Sequence, residues 1–463
     1  MNINFRVLLT TIIAVSLFSN SGNAQEMDTS KPLSLEECVA YALENNYNLR
    51  STRLEEAIAE TQVGETRSMG LPQAKFQSNL NYNYEVQKAF LPNALFPEDP
   101  NNPNPPDPEG FTAVQFSPTF DGNASFSVSQ LLFDGSYFVG LQAAKTLRDL
   151  RRKESNQSEI EIVEAVSKAY YLVLINLERK ELVNANLKQL EKVLSDTKAQ
   201  YESGFAERID VDRIQVSLNN IITENNSINR NLAYSYDLLK FQMGIPVSNE
   251  ITLSGDLSSI SFRAEEYLGT ENEFDYEDRS EYNILKVNEE LAGLDLRNNK
   301  ATHLPRLSAN FSYGWNTGAN NTSEFFDFND RWLSFGVVGV SLQWDLFTGL
   351  NRSSKMQKNR IQLEQLGIQK EQLENSIDME IMQLKGNLES ANESMEVQKQ
   401  NMELAQSVYD QTQEKYKVGV GSNTELLDAE IASKEAQTNY YNALYEAIIS
   451  KIELEKALGI LYK

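Results

Sequence analysis

The sequence predicts an α+β membrane protein in which amphipathic strands and long coiled-coil hairpins are laid out twice along one chain. Three observations predict it. Four stretches alternate apolar and polar residues with a period of two, as a strand with one oily and one wet face does. Two long proline-free stretches carry apolar residues at alternating spacings of four and three, the heptad of a coiled coil. Finally, Tyr416-Lys417-Val418-Gly419-Val420-Gly421-Ser422-Asn423-Thr424-Glu425-Leu426-Leu427-Asp428 has a partner 215 positions earlier in Tyr201-Glu202-Ser203-Gly204-Phe205-Ala206-Glu207-Arg208-Ile209-Asp210-Val211-Asp212-Arg213. Tyr and Gly recur in the same places and an acidic residue follows the Gly by six positions each time, so two helical hairpins turn at related tips.

Composition limits the function classes. The 463 residues hold 42 Lys and Arg against 66 Asp and Glu, a formal charge of -24 that argues against nucleic-acid binding. Only 41% of residues are hydrophobic, so no large oily core is advertised. Residues 1–24 read as a secretory signal, with Arg6 as the sole charge, an apolar run from Val7 to Phe18 and small residues at Gly22-Asn23-Ala24. The mature chain is then expected to start at Gln25. Cys38 is the one cysteine, which excludes an internal disulfide and reads as a small apolar helix residue. No stretch of eighteen apolar residues follows the signal, so an exported chain of this kind is either soluble or an outer-membrane β-barrel.

In chain order, a helical pattern over residues 33–69 ends before Pro72. Residues 73–86 then alternate, with Ala74, Phe76, Leu80, Tyr82, Tyr84 and Val86 opposite Gln73, Lys75, Gln77, Asn79, Asn81 and Asn83. Seven of the twelve prolines fall between Pro92 and Pro108, which predicts an exposed loop over 91–110 with no helix or ladder of its own. Alternation returns over 120–133, again from Leu307 to Asn316, and again from Trp332 to Leu346. Strands of this length suit the roughly 9–11 residues that cross a bilayer at a tilt. Tyr82, Tyr84, Trp315, Trp332 and Trp344 could supply interfacial belts. Soluble sheets alternate too, so two soluble hairpins on a core is the competing reading. If the strands span lipid, four cannot close a barrel, and open edges there cost several kcal/mol per unpaired group. Three copies would give a twelve-stranded transmembrane barrel.

The helices follow the same doubled layout. Val183, Leu187, Leu190, Leu194, Thr197 and Tyr201 keep heptad spacing, and 215 residues on the phase is shared by Gln398, Met402, Ala405, Tyr409, Thr412 and Tyr416. Ile377, Ile381, Leu384, Leu388, Ala391 and Met395 extend the second seam backwards. A helix over 136–200 would be roughly 100 Å long, which suits a duct or stalk. The expected divisions are a first repeat at 25–246, with a strand hairpin at 72–133 and a tip near 201–213, and a second at 282–463, with a hairpin at 305–347 and a tip near 416–428. Residues 247–281, acidic and aperiodic, link the halves.

Signal, helix, strand hairpin and long helical hairpin, all given twice, resemble the outer-membrane efflux protein family, the TolC-like exit ducts. The resemblance rests on Tyr416-Lys417-Val418-Gly419 followed by Glu425-Leu426-Leu427-Asp428-Ala429, on Ala457-Leu458-Gly459-Ile460-Leu461, and on Leu71-Pro72 opening a strand. It implies a homotrimer whose twelve-stranded barrel lies in outer-membrane lipid and is continued by a periplasmic α-helical barrel gated at its tips. A periplasmic adaptor (membrane fusion protein) and an inner-membrane efflux or secretion pump are its implied partners. The implied role is passive conduction of solutes or secreted polypeptide, with no enzyme activity. The single His303 and the lack of a Cys/His/carboxylate motif separately argue against catalysis, a metal or a cofactor. An exported coiled-coil structural or adhesion protein is the alternative, though it has no use for two-faced strands.

The resemblance also assigns residues. Glu425 and Asp428, three apart and so on one helix face, match acids that ring the periplasmic aperture, where carboxylates from three copies would favour cations. Asp210 occupies the position in the first tip that Glu425 occupies in the second. Ser422 to Glu425 equally fits a capping box, in which Glu425 returns to the Ser422 backbone. Tyr416 matches a residue that helps hold the closed gate and reads equally as heptad core. Gly421 stands where relatives can carry a gating Arg. Gly204 with Phe205, and Gly419 with Val420, match the tip grooves that receive adaptor hairpins, while a turn requires the glycines in any case.

Overall fold

The computed structural model describes residues 31–96, 107, 109–255, 257 and 274–462. The expected signal, the middle of the proline-rich loop and the middle of the linker lie outside the described residues. In order the elements are α1 (Leu35–Asn45), α2 (Tyr47–Ser68), β1 (Gln73–Tyr82), β2 (Lys88–Pro92), β3 (Phe111–Gln115), β4 (Phe120–Phe133), α3 (Gly135–Glu202), α4 (Arg208–Met243), α5 (Ser280–Ala301), β5 (Arg306–Ala319), β6 (Leu333–Gln343), α6 (Asn351–Lys417) and α7 (Asn423–Ala457). The described residues form two compact units, one within 54–154 and 281–373, the other within 31–53, 155–280 and 374–462, so each draws on both halves of the sequence.

The first unit holds one four-stranded antiparallel sheet in the order β1-β4-β5-β6. Register places Ala74, Val128, Phe311 and Val338 in one row, and Phe76, Phe126 and Tyr313 in the next row on the same face. The reverse face carries rows such as Lys75, Ser127 and Ser312, and Asn79, Asn123 and Asn316. The expected division into an oily and a wet face therefore holds across β1, β4 and β5. On β6, Leu333 and Val337 add apolar side chains to the wet side, exposed like their neighbours.

Three strand expectations need correction. The first strand stops at Tyr82 and not at Val86. Asn83 ends it, donating through Nδ2 to the Pro118 carbonyl at 3.1 Å and to Asp121 Oδ1 at 2.8 Å, which fastens the chain to the start of β4. The stretch expected to lack a ladder begins inside one, since β2 pairs with β3, Leu91 facing Thr112 and Pro92 facing Phe111. Pro92 is tolerated because this two-stranded ladder ends at it. Buried Asn93 then donates to the Asp107 carbonyl and accepts from Thr112 Oγ1, both at 2.6 Å, holding the turn at Asn93–Leu95. Finally, β6 spans 333–343. Trp332 sits in the preceding loop with its indole on the Phe325 carbonyl at 3.1 Å, and Trp344 lies beyond the strand with its indole on the His303 carbonyl at 3.0 Å.

Where no proline interrupts, α3 runs for 68 residues and α6 for 67, and the second unit, which takes α3 from residue 155 and α6 from residue 374, is helical. Among the described residues no helix is long and apolar enough to cross a membrane. The heptad seams are its buried lines: Val183, Leu190 and Leu194 on α3, and Ile377, Leu388 and Tyr409 on α6. The single helix expected over 33–69 is broken at Asn46, whose backbone is extended (φ -57°, ψ 132°). Its Oδ1 accepts from the amides of Asn48 (2.8 Å) and Leu49 (3.2 Å), capping α2, while its Nδ2 donates to the Gln242 carbonyl at 2.6 Å. Both described ends of the linker are fastened, the first to the chain ahead of α1 and the second to α6 and α7. Leu33 bridges to Leu253, Tyr276 donates to Asp378, and Arg279 reaches Glu380 and the Ala457 carbonyl.

Asn46→Ala should cost about 2 kcal/mol by stripping the cap and removing the donor to the part-buried Gln242 carbonyl. Hydrogen exchange at Asn48 and Leu49 should quicken roughly 30-fold, and unchanged rates would refute the assignment. Cys38, fully buried between Leu33, Val166 and Leu239, has its thiol pushed up to about 12 by burial first, with Glu37 and Glu36 adding to it. Below that pH the thiol stays protonated and unreactive. Maleimide at pH 8 should leave the folded chain unlabelled and label it fully after denaturation.

Candidate functional site at the helical tips

The two tips are built by the same local rules. Gly204 (φ 81°) and Gly419 (φ 78°) adopt the left-handed conformation that ends a helix and that other residues reach only under strain. The amide of Gly204 bonds the Tyr201 carbonyl and that of Phe205 bonds Gln200. The Gly419 and Val420 amides do the same with Tyr416 and Lys415, 215 residues on. After each turn an acid serves the next helix: the Glu207 amide donates to Asp210 Oδ2 at 3.2 Å, and the Ser422 amide to Glu425 Oε2 at 3.4 Å. Ser422 Oγ accepts from the Glu425 amide at 3.1 Å, so the capping box is formed while Glu425 and Asp428 stay exposed.

Side chains then lock one tip to the other. Asn423 at the start of α7 donates to both the carbonyl oxygen and Oδ1 of Asp210, each at 3.0 Å, which makes Asp210 an acceptor for both tips. Arg213 Nη1 donates to Thr424 Oγ1 at 3.2 Å. The Tyr416 phenol shares a 3.1 Å hydrogen bond with the wholly buried Thr197 hydroxyl. Burial holds that phenol above its usual pKa, outweighing the bond to Thr197, and Asp210 adds to the effect. Tyr416 is half-buried beside Val193, Leu194, Ile214 and Leu426, whereas its counterpart Tyr201 is exposed. Phe205 is 87% exposed and Val420 77% exposed, so each tip presents an uncovered apolar residue beside its glycine.

Above the tips, polar side chains bond one another among the apolar residues of the seams. Gln189 bonds Gln413 at 3.1 Å, Asn186 bonds Gln437 at 3.0 Å, and Gln437 and Ser433 both donate to Gln406 Oε1 at 3.1 Å. Ser217 reaches the buried carboxylate of Glu430, which also pairs with Lys434 at 2.6 Å. Of the sequence-derived residues, the structure brings Tyr416 and Asp210 into this clasp and leaves Glu425, Asp428, Phe205 and Val420 exposed. Asn423, Arg213 and Thr197 were missed. A usable signal existed for Arg213, which stands nine residues after Gly204 as Asp428 does after Gly419. Gly421 also gains a physical reason: a Cβ there would come within 3.0–3.2 Å of Lys415 and Tyr416, and its amide bonds Lys415.

Residues 39–235 and 286–460 match the model of the outer membrane efflux protein family. The chain belongs to that family. It is 24% identical over 349 residues to outer membrane protein TolC of Vibrio cholerae, covering 73% of this chain and 77% of that protein. TolC of Escherichia coli is 20% identical over the same length, covering 73% and 69%. Among solved structures, the fold resembles a membrane protein from Pseudomonas aeruginosa (TM-score 0.69, 16% identity, 92% of each chain) and the Campylobacter jejuni CmeC outer membrane channel (TM-score 0.69, 13% identity, 93% and 86%). This outer membrane efflux protein is located in the outer membrane, with its helical domain in the periplasm.

The clasp is directly testable. Asn423→Ala should remove two hydrogen bonds from Asp210 and loosen the first turn of α4 by 1–3 kcal/mol. Hydrogen exchange over 208–213 should then accelerate about five-fold or more, and no change would show that Asn423 does not hold the tips together.

Proposed function

We propose that three copies of this chain form an outer-membrane exit duct, passively conducting solutes or secreted polypeptide from an inner-membrane pump and periplasmic adaptor. The observation that carries the reading is a four-stranded sheet with one apolar face and two unpaired edges, β1 and β6. Neighbouring strands alternate in direction, so β6 of one copy can pair antiparallel with β1 of the next, and three copies close twelve strands. Exposed Met379, Met382, Val397 and Leu404 on α6 give neighbouring copies an apolar strip to bury in a twelve-helix barrel. Residues 25–246 and 282–463 are then two copies of one ancestral unit, which suits the identical turns at both tips.

The helical tips serve as the periplasmic gate. Tyr416, Asp210 and Asn423 hold the two hairpins of one chain together, and Glu425 and Asp428 line the aperture, Glu425 capping its helix at the same time. With no Arg at position 421, Arg213 supplies the cation at this level. Gly204 with Phe205, and Gly419 with Val420, form the surface that receives the adaptor, supported by the exposure of both apolar side chains.

Heat-modifiable trimers in detergent-extracted outer membrane are expected, and a monomer in the soluble fraction would sink the duct. In planar bilayers Glu425→Gln with Asp428→Asn should weaken divalent-cation block and lower cation preference. Those substitutions remove charge yet leave position 425 an acceptor for the cap, so unchanged conduction would remove both carboxylates from the aperture.

A further inference from the structure

The loop between β5 and β6 does not project freely from the sheet. Asn321 caps its single helical turn by accepting from the Glu324 amide at 2.9 Å. That turn buries Phe325 against Phe120 (centroids 5.6 Å apart) and Trp332 (6.2 Å). Phe328 stacks on Trp332 at 5.4 Å, and Phe326 and Phe328 remain exposed. The Trp332 ring lies against the sheet at Gly122, where a Cβ would come within 3.1 Å of Trp332 Cη2. A hollow of about 380 Å³ results, within the volume range of small-molecule sites. Its floor is the row Ser78, Ala124 and Trp315, in which two small residues follow the bulky row Phe76, Phe126 and Tyr313, and its wall is Phe326, Phe328 and Trp332.

We propose that this hollow binds a fatty-acyl chain of an outer-membrane lipid. The assignment rests on the reading above, in which the apolar face of the sheet meets lipid. The hollow opens on that face, so the membrane supplies its occupant without any further partner. Aromatic side chains dominate the lining, which offers a hydrocarbon chain contact along its length but gives a polar cargo only one hydroxyl, that of Ser78. The hollow lies at the end of the β5–β6 hairpin remote from α5 and α6. Asn329, Asp330 and Arg331, immediately before Trp332, place a polar edge where a headgroup would sit.

The full chain, purified in detergent and incubated with palmitoyl-oleoyl phosphatidylethanolamine, should retain one lipid per chain by native mass spectrometry. Ala124→Phe, which fills the floor, and Phe328→Ala, which removes part of the wall from an exposed position, should each lower occupancy at least ten-fold while the heat-modifiable oligomer persists. No retained lipid in the unaltered chain, or equal retention in both variants, overturns the proposal. Tryptophan quenching in bilayers of brominated-chain lipid tests the underlying reading separately. Quenching without retained lipid removes the acyl-chain site alone, whereas absence of quenching removes the lipid-facing sheet and the site together.

Discussion

Backbone N–H and C=O groups have no water to bond in hydrocarbon, and each one left unpaired there costs several kcal/mol. Within the sheet β4 and β5 lie between two partner strands, β4 pairing with β1 over 120–129 and β5 with β6 over 306–316, so the continuous open edges are those of β1 and β6. An even number of strands per chain returns the direction to its starting point, so the two edges suit one another and no strand need be parallel. The division of side chains follows from the same condition. In the proposed closed barrel only side chains would meet lipid, the rows through Phe76 and Val128 with carbon, while those through Lys75 and Asn79 would turn inward. Charge is accordingly concentrated on the helices, where water surrounds the chain.

At the tips the two halves use identical turns toward unlike ends. Both glycines carry the same left-handed backbone and both following acids receive an N-cap amide, yet Tyr201 is exposed where Tyr416 is locked to Thr197. The difference arises in the residues between. Position 423 is Asn, which donates across to Asp210, whereas its counterpart Arg208 pairs at 3.7 Å with Asp212 of its own helix. Asp210 therefore spends its oxygens on holding structure, while Glu425 and Asp428 stay exposed at the second tip.

The strands and long helices were legible because each obeys a single period: β4 runs over the predicted 120–133, and α3 exceeds its predicted span by one residue at its start and two at its end. What was lost lies where a polar side chain overrides the period. Asn46 breaks a helix whose apolar spacing continues past it, and Asn83 ends a strand whose alternation runs on to Val86. Nothing in one-dimensional spacing shows that an amide will find a carbonyl 196 residues away, as Asn46 finds Gln242. The turn glycines and the capping acids could be read at the tips because their chemistry is local. The clasp could not, because Asn423 and Asp210 meet only after both hairpins have folded.

The polar layers above the tips follow a different logic from the apolar seams that continue them. A Gln pair in a coiled coil contributes less than two leucines would, and a buried carboxylate such as Glu430 contributes only if all its bonds are made. What such layers supply is register. Gln437 and Ser433 converge on one oxygen of Gln406, so sliding α7 by a turn against α6 would leave several buried groups unpaired at 1–3 kcal/mol each. Apolar contacts tolerate that slide far better, since one leucine replaces another in a hole. A tip that presents Gly204, Gly419 and their apolar neighbours to a partner, as proposed, would need the weaker but more exacting interaction in this part of its length.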